Sequence, residues 1–145
     1  RSVSAFLLNR SSDLRLKIDG YNDFKKAELC NADSFAAGAY TYLRRVFEKM
    51  LNSYCAGKEL KDNRSETKIK ASKDAFDERI HPMLTNLYKI LSKGIHQLSD
   101  EECSNYYQYL RGVIVMQLEH LKQKEDKQKQ PEELNKRLSE IASKI

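Results

Sequence analysis

Residues 34–54 read SFAAGAYTYLRRVFEKMLNSY, and this stretch decides the fold class because its apolar side chains recur with the period of an α-helix. Spacings of three and four residues place them on one stripe. Asp33 or Ser34 is expected to cap the start of this helix. Gly38 costs about 1 kcal/mol relative to Ala inside a helix, which predicts a close helix crossing as its compensation. The stripe consists of Phe35, Ala39, Leu43, Val46, Met50 and Tyr54.

The residues before this helix divide into a second helical pattern and an ambiguous start. Tyr21, Phe24 and Ala27 recur at steps of three before the polar break CNADS, and they predict one short helix. Residues 1–20 contain the apolar runs VSAFLL and LRLKI, which are typical of short strands. We expect a hairpin or an extended arm there, and such an arm is suited to pairing with another copy.

After residue 54 the pattern predicts a flexible connection and two shorter helices. Residues 55–66 are polar and contain glycine and asparagine, which is typical of a loop. Residues 67–80 predict a weakly amphipathic helix that ends before Pro82, because proline disfavours helix in the residue preceding it. Pro82 then suits the first position of the next helix, and Gly94 is expected to end that helix in a left-handed conformation.

The last third of the chain is dominated by one long helical pattern. Ser99 and Glu102 have the spacing of a capping box, in which each side chain accepts from the backbone amide of the other residue. The charged run KQKEDKQKQ at 122–130 is either a solvated extension of the helix or a linker. Pro131 is expected to open a final helix. The apolar face of the long helix comprises Cys103, Tyr106, Leu110, Val113, Gln117 and Leu121, widened by Tyr107, Ile114 and Leu118. That of the final helix comprises Leu134, Leu138, Ile141 and Ile145.

These patterns predict an all-α bundle of about five helices. The expected divisions are an arm at 1–20, a bundle at 21–121, and a charged linker with an amphipathic helix at 122–145. A chain of 145 residues fits one domain. We see no apolar run long enough for a membrane span and no secretion leader. The three cysteines are far apart and form no CxxC pair, which favours reduced thiols and a cytoplasmic location.

Few residues in the sequence have the pattern of a chemical site. There is no phosphate-binding glycine loop, zinc signature or serine nucleophile elbow, and we expect no metal and no cofactor. The basic residues at 58–73 make Lys68, Lys70 and Lys73 candidates for nucleic-acid binding, although a solvated linker and helix face is the favoured explanation. His96 is expected between two helices, where it either closes a helix end or acts in catalysis.

Two segments resemble the HEPN-like domains, small all-α modules of bacterial defence, restriction and toxin–antitoxin proteins. YNDFKKAELCNADSFAAGAYTYLRRVFEKML is similar to their paired opening helices, and LYKILSKGIHQLSDEEC is similar to the junction before their last bundle helix. The resemblance covers residues 21–121. It implies a homodimer, and in catalytic members it implies cleavage of RNA without a metal by an arginine and a histidine.

The resemblance places His96 at the histidine position, but no arginine lies four to six residues before it. Lys93 is the nearest cation, and lysine lacks the planar fork with which arginine grips a phosphate. The first hypothesis is therefore a non-catalytic or divergent HEPN-like oligomerisation and interaction module in a bacterial stress or phage-defence system. The alternatives are a dimeric ribonuclease in which His96 is the base and Lys93 the phosphate clamp, and a nucleic-acid or nucleotide-binding module.

Overall fold

A computed structural model describes residues 20–145, and all regular structure in that range is helical. The all-α prediction is confirmed, while the arm predicted at 1–20 lies, apart from its last residue, outside the described residues. No described helix combines the length and apolar character of a membrane span. The elements are α1 (Tyr21–Ala32), α2 (Ala36–Tyr54), α3 (Ser65–Ser72), α4 (Leu84–Gln97) and α5 (Asp100–Ala142), with short 3-10 helices at Lys73–Ala75 and Glu78–Met83.

The bundle is built around α2, which contacts each of the other four α-helices. The stripe predicted for this helix is largely confirmed, because Ala39, Leu43, Val46 and Met50 are all buried. Tyr54 is partly buried, and Phe35, which precedes the helix, is mostly exposed. Contacts with four helices bury this stripe, which explains why the apolar residues of α2 recur with a clear helical period.

Gly38 confirms the predicted close approach. A Cβ atom at this position would lie 2.7 Å from the ring of Phe35 and 2.9 Å from the Cys30 sulfur. Cys30 belongs to α1, so the missing side chain lets α1 and α2 pack closely. The close packing compensates for the low helix propensity of glycine.

The predicted cap of α2 by Asp33 or Ser34 is wrong. The N-cap is Phe35, whose side chain makes no capping bond. Ser34 has a φ of 59° and ends α1 instead, since the Ser34 amide donates to Asn31 and the Phe35 amide donates to Cys30. These two bonds form a Schellman motif, in which the backbone amides of Ser34 and Phe35 satisfy carbonyls at the end of α1. The polar side chains of the break do not cap α2.

The helix predicted at 67–80 is shorter than expected. α3 ends at Ser72, and the chain continues through two 3-10 helices, the second of which contains Pro82. The buried apolar residues Phe76 and Ile80 therefore lie in a compact connection rather than on a helix face. The connection is fixed at Asp77, whose carboxylate accepts from the amide and the guanidinium of Arg79.

Gly94 does not end α4, and this prediction is wrong. The helix continues to Gln97, and the glycine keeps an ordinary negative φ. A Cβ atom at Gly94 would lie 3.2 Å from the ring of Tyr40. Tyr40 is fully buried and donates a hydrogen bond of 2.9 Å to the Cys103 carbonyl. Gly94 thus provides space for a tyrosine that joins α2, α4 and α5.

The capping box at the start of α5 is confirmed, because Ser99 and Glu102 exchange both bonds. The expected separate final helix is wrong: α5 runs through 43 residues without interruption and includes Pro131. The charged run is a solvated helical extension. It contains ion pairs one turn apart, such as Lys122 with Asp126 at 3.3 Å and Lys129 with Glu125 at 2.9 Å.

Candidate functional site

A cleft with a volume of about 530 Å³ lies between α3 and α4. This volume falls within the range of small-molecule sites. One wall is a single face of α4, because its residues recur at three- and four-residue steps. The other wall is the first turn of α3 with the residues just before it. The α4 wall consists of Thr85, Tyr88, Lys89, Ser92 and Lys93, and the α3 wall of Asn63, Arg64, Ser65, Glu66 and Ile69.

Tyr88 is held in the cleft by the core behind it. Its ring lies 6.3 Å from the ring of Phe47, and the Arg44 guanidinium lies 5.9 Å from the centre of the tyrosine ring. The pKa of Tyr88 is lowered from its usual value, chiefly because the Ser65 hydroxyl stabilises the phenolate. The ring therefore combines an apolar surface with a hydroxyl in a polar setting.

Ser92 contributes a second hydroxyl to the α4 wall. It is close enough to Tyr88 to help lower the pKa of that phenol. The Ser92 Oγ atom is nevertheless buried and makes no hydrogen bond of standard geometry to any described residue. A serine in a helix commonly satisfies its hydroxyl on the carbonyl four residues earlier. Ser92 thus has spare hydrogen-bonding capacity in the wall of the cleft.

The first turn of α3 has no side-chain cap on its backbone amides. Arg64 is the N-cap residue, and no side chain caps the helix. The nearest carboxylate, Asp62, accepts from the Arg64 amide and from the Thr67 hydroxyl at 2.9 and 2.7 Å. These bonds lower the pKa of Asp62, led by the bond from Thr67. The amides of the first turn carry a partial positive charge beside the cleft.

The cleft has an excess of positive side chains. Arg64, Lys89 and Lys93 line it, against the single carboxylate of Glu66. Arg64 is paired with Asp62 at 3.3 Å, but neither lysine forms an ion pair with another described residue. Lys89 and Lys93 are four residues apart on α4, a spacing at which like charges repel each other. The arrangement is electrostatically suited to an anion.

The predicted catalytic pair is only partly brought to this site. Lys93 lines the cleft, whereas His96 does not. His96 is an exposed residue in the last turn of α4, and the expected position between two helices is wrong because Gly94 does not end the helix. The roles of His96 as base and Lys93 as phosphate clamp stay predictions.

The predicted nucleic-acid-binding lysines do not share one surface feature. Lys68 donates a hydrogen bond of 2.8 Å to the Asn52 side chain on α2. Lys70 lines a shallow depression of about 80 Å³ beside Arg64. Lys73 is exposed on the first 3-10 helix. Their proposed contact with nucleic acid also stays a prediction.

A buried polar network around Gln117 was not predicted. Its side chain is fully buried; it accepts from the Asp77 amide at 2.8 Å and donates to Tyr54 and to the Ala75 carbonyl at 3.0 Å. It thereby joins α2 and the 3-10 connection to α5. The sequence signal was a glutamine on the apolar face of a long helix, which indicates a buried polar group that must find partners.

His120 lies at the edge of the same network, with Nδ1 3.9 Å from the Asp77 carboxylate. The pKa of Asp77 is lowered to about 2, first by its bonds to the Arg79 side chain and backbone. The pKa of His120 is lowered from its usual value by burial, an effect that Asp77 opposes. Within residues 20–145 no three acidic, histidine or cysteine side chains converge as metal ligands would. The network connects structural elements and does not open on the α3/α4 cleft.

Comparison with known proteins adds no relative: no family model, no curated protein and no solved structure matches the chain. The HEPN-like resemblance stays a prediction that rests on the quoted segments.

Proposed function

We propose that this chain is a non-catalytic, HEPN-like helical interaction module that associates with a second copy of itself through the outer half of α5, residues 122–142. The observation that carries the proposal is an exposed apolar stripe there. Leu134, Leu138 and Ile141 are 57%, 65% and 58% exposed. Their spacings of four and three residues are those of a coiled-coil seam. A bacterial stress or phage-defence system is the setting that the family resemblance implies.

The stripe is directed away from the bundle that α5 belongs to. In a regular helix of 3.6 residues per turn, its centre is rotated by roughly 140° from the bundle-facing side of the same helix. That side carries the buried residues Leu110, Ile114 and Leu118. Because α5 is continuous, its own bundle does not cover the stripe. Every residue from 126 to 145 is exposed.

Charge favours an antiparallel pair of copies. The stripe begins beside Glu132 and Glu133 and ends beside Lys144. In an antiparallel arrangement, the acidic start of one segment lies next to the basic end of the other. A parallel arrangement would bring like charges together, which is unfavourable across a helix pair.

The expected affinity is modest. Each copy contributes only three or four apolar side chains, and their burial must exceed the entropic cost of association. We therefore expect a dissociation constant on the order of 10 μM. At that strength the association is readily measured in solution and readily abolished by one charge in the seam.

The test is sedimentation velocity of the wild type, Leu138→Glu and Ser139→Glu over about 1 to 200 μM, a range that brackets the expected constant. The wild type should sediment faster with concentration, while Leu138→Glu stays monomeric because it places a carboxylate in the apolar seam. Ser139→Glu adds the same charge on the adjacent, off-stripe face and should behave as the wild type. A monomeric wild type, or equal effects of the two variants, contradicts the proposal.

A further inference from the structure

We infer that the α3/α4 cleft is a binding site for the phosphate group of a small phosphorylated ligand. The site does not depend on self-association, because no residue of the outer half of α5 lines it. The inference rests on the cavity and on the convergence of groups that each favour an anion.

The first observation is the positive charge of two lysines in the lining of the cleft. Lys89 and Lys93 repel each other across one turn of α4 and lack carboxylate partners among the described residues. A phosphate between them converts this repulsion into two charge-assisted hydrogen bonds. Glu66 is the single opposing charge in the lining, so a dianion is favoured over a cation or a neutral ligand.

The second step is the supply of hydrogen-bond donors at short range. The Ser92 and Ser65 hydroxyls lie on opposite walls of the cleft, both beside the Tyr88 phenol. The buried Ser92 Oγ atom makes no hydrogen bond of standard geometry to another described residue. The uncapped first turn of α3 adds backbone amides and a favourable dipole. A phosphate has enough acceptor oxygens to use donors from both walls simultaneously.

The third step is the size and mixed character of the cleft. About 530 Å³ is more than inorganic phosphate requires. Ile69 and the Tyr88 ring give the lining an apolar part beside the cations. A ligand with a phosphate and a small organic group fits this combination, whereas a long polyanion needs an extended basic surface.

The experiment is isothermal titration calorimetry with inorganic phosphate, adenosine 5′-monophosphate and adenosine. The wild type should bind both phosphate-bearing probes and not adenosine. Lys89→Gln/Lys93→Gln should weaken binding of the monophosphate by roughly tenfold or more, because two charged donors are removed. Ser92→Ala should weaken it by about threefold through one lost hydrogen bond. Circular dichroism of each variant checks that the helices are retained.

Lys70→Gln/Lys73→Gln is the matched control, because it removes the same charge outside the cleft. We expect less than about a twofold change, because neither side chain lines the cleft and exposed charges are screened by water and salt. Leu138→Glu should bind the probes as the wild type does, which separates this inference from the proposed self-association.

Several outcomes overturn the inference. They are no binding of either phosphate probe at about 5 mM, equal binding of adenosine, or equal losses in the two lysine pairs, which would indicate diffuse electrostatic attraction. Binding of single-stranded RNA that depends on Lys70 and Lys73 but not on Lys89 and Lys93 would also overturn it, in favour of the basic stretch.

Discussion

The two halves of α5 belong to one helix but are stabilised by different interactions. Residues 100–121, the inner half, bury Tyr107, Leu110, Ile114 and Leu118 against the rest of the bundle. The outer half, residues 122–142, is exposed from residue 126 onward and carries ion pairs within the helix. Such pairs contribute only about 0.2 to 0.5 kcal/mol each.

This difference shows that a helix can be continuous although its two halves differ in how strongly tertiary contacts stabilise them. In the inner half, the Glu28 carboxylate on α1 accepts from Tyr107 at 2.9 Å and from Arg111 at 2.6 Å, so tertiary contacts fix the helix. The outer half has no comparable contact to another described element. We expect the inner half to unfold with the bundle, while the outer half frays independently until a partner covers it.

The largest difference in the free energy of unfolding should come from replacing one leucine by alanine in each half separately. Leu118→Ala should lower the free energy of unfolding by about 3 kcal/mol, because it leaves a cavity at a fully buried site. Leu138→Ala should change it by less than about 0.5 kcal/mol, since that side chain is exposed. Urea denaturation of dilute protein, well below the expected dimer concentration, measures both. Similar losses would mean that the outer half is part of the cooperative core.

Acidification should destabilise the inner half in two steps. Because burial lowers the pKa of His120 below its usual 6.5, the unfolded chain binds this proton more readily, and stability falls as the pH drops below about 6.5. The pKa of Asp77 is lowered from 3.8 to about 2. Its contribution is complete above 3.8 and is lost as the pH falls toward 2. Thermal unfolding between pH 2 and 8 measures both steps.

Two variants assign these steps to their residues. His120→Asn should flatten the stability profile near pH 6 relative to the wild type, and Asp77→Asn should flatten it between pH 4 and 2, as linkage requires. Unchanged profiles would show that neither group couples folding to protons. Leu138→Ala serves as the reference from the outer half and should leave both steps in place.

The smallest effect on overall stability should come from Pro131→Ala. Proline lacks an amide hydrogen, so the Lys127 carbonyl loses its intrahelical donor. Alanine restores the bond, and we expect amide exchange near this position to slow by about tenfold. The free energy of unfolding of the bundle should change by less than about 0.5 kcal/mol. Lys136→Ala is the control, because it adds alanine to the same helix without restoring a bond. Equal exchange in both variants would exclude a local defect at Pro131.

The helices were predictable where a buried face imposed a period on the sequence. The stripe of α2 and the capping box at Ser99 depend on neighbours within a few residues, and both were found. The predictions at Gly94 and Pro131 were wrong because the local preference of glycine and proline indicated a helix boundary at each. In the structure the helix continues through both positions. Gly94 is needed for contact with Tyr40, and Pro131 is tolerated in an exposed extension where little packing is disturbed.

The candidate site was much less predictable. Lys93 was predicted as a site residue, but as the catalytic partner of His96, and His96 does not line the cleft. Arg64, Ser65, Lys89 and Ser92 were not selected, because the cleft exists only after α3 is placed beside α4. Helical spacing identifies the face of one helix and carries no information about which other helix stands opposite.

The uninterrupted course of α5 makes it a molecular ruler. If two copies pair antiparallel with the centre between Leu138 and Ile141, each bundle ends about 28 Å from that centre at 1.5 Å per residue. The two bundles would then be held roughly 55 Å apart by a rod that is two helices thick where the copies overlap and one helix thick on either side. Two copies of any ligand in the α3/α4 clefts would be presented at a fixed, long spacing, with the bundles free of contact with each other.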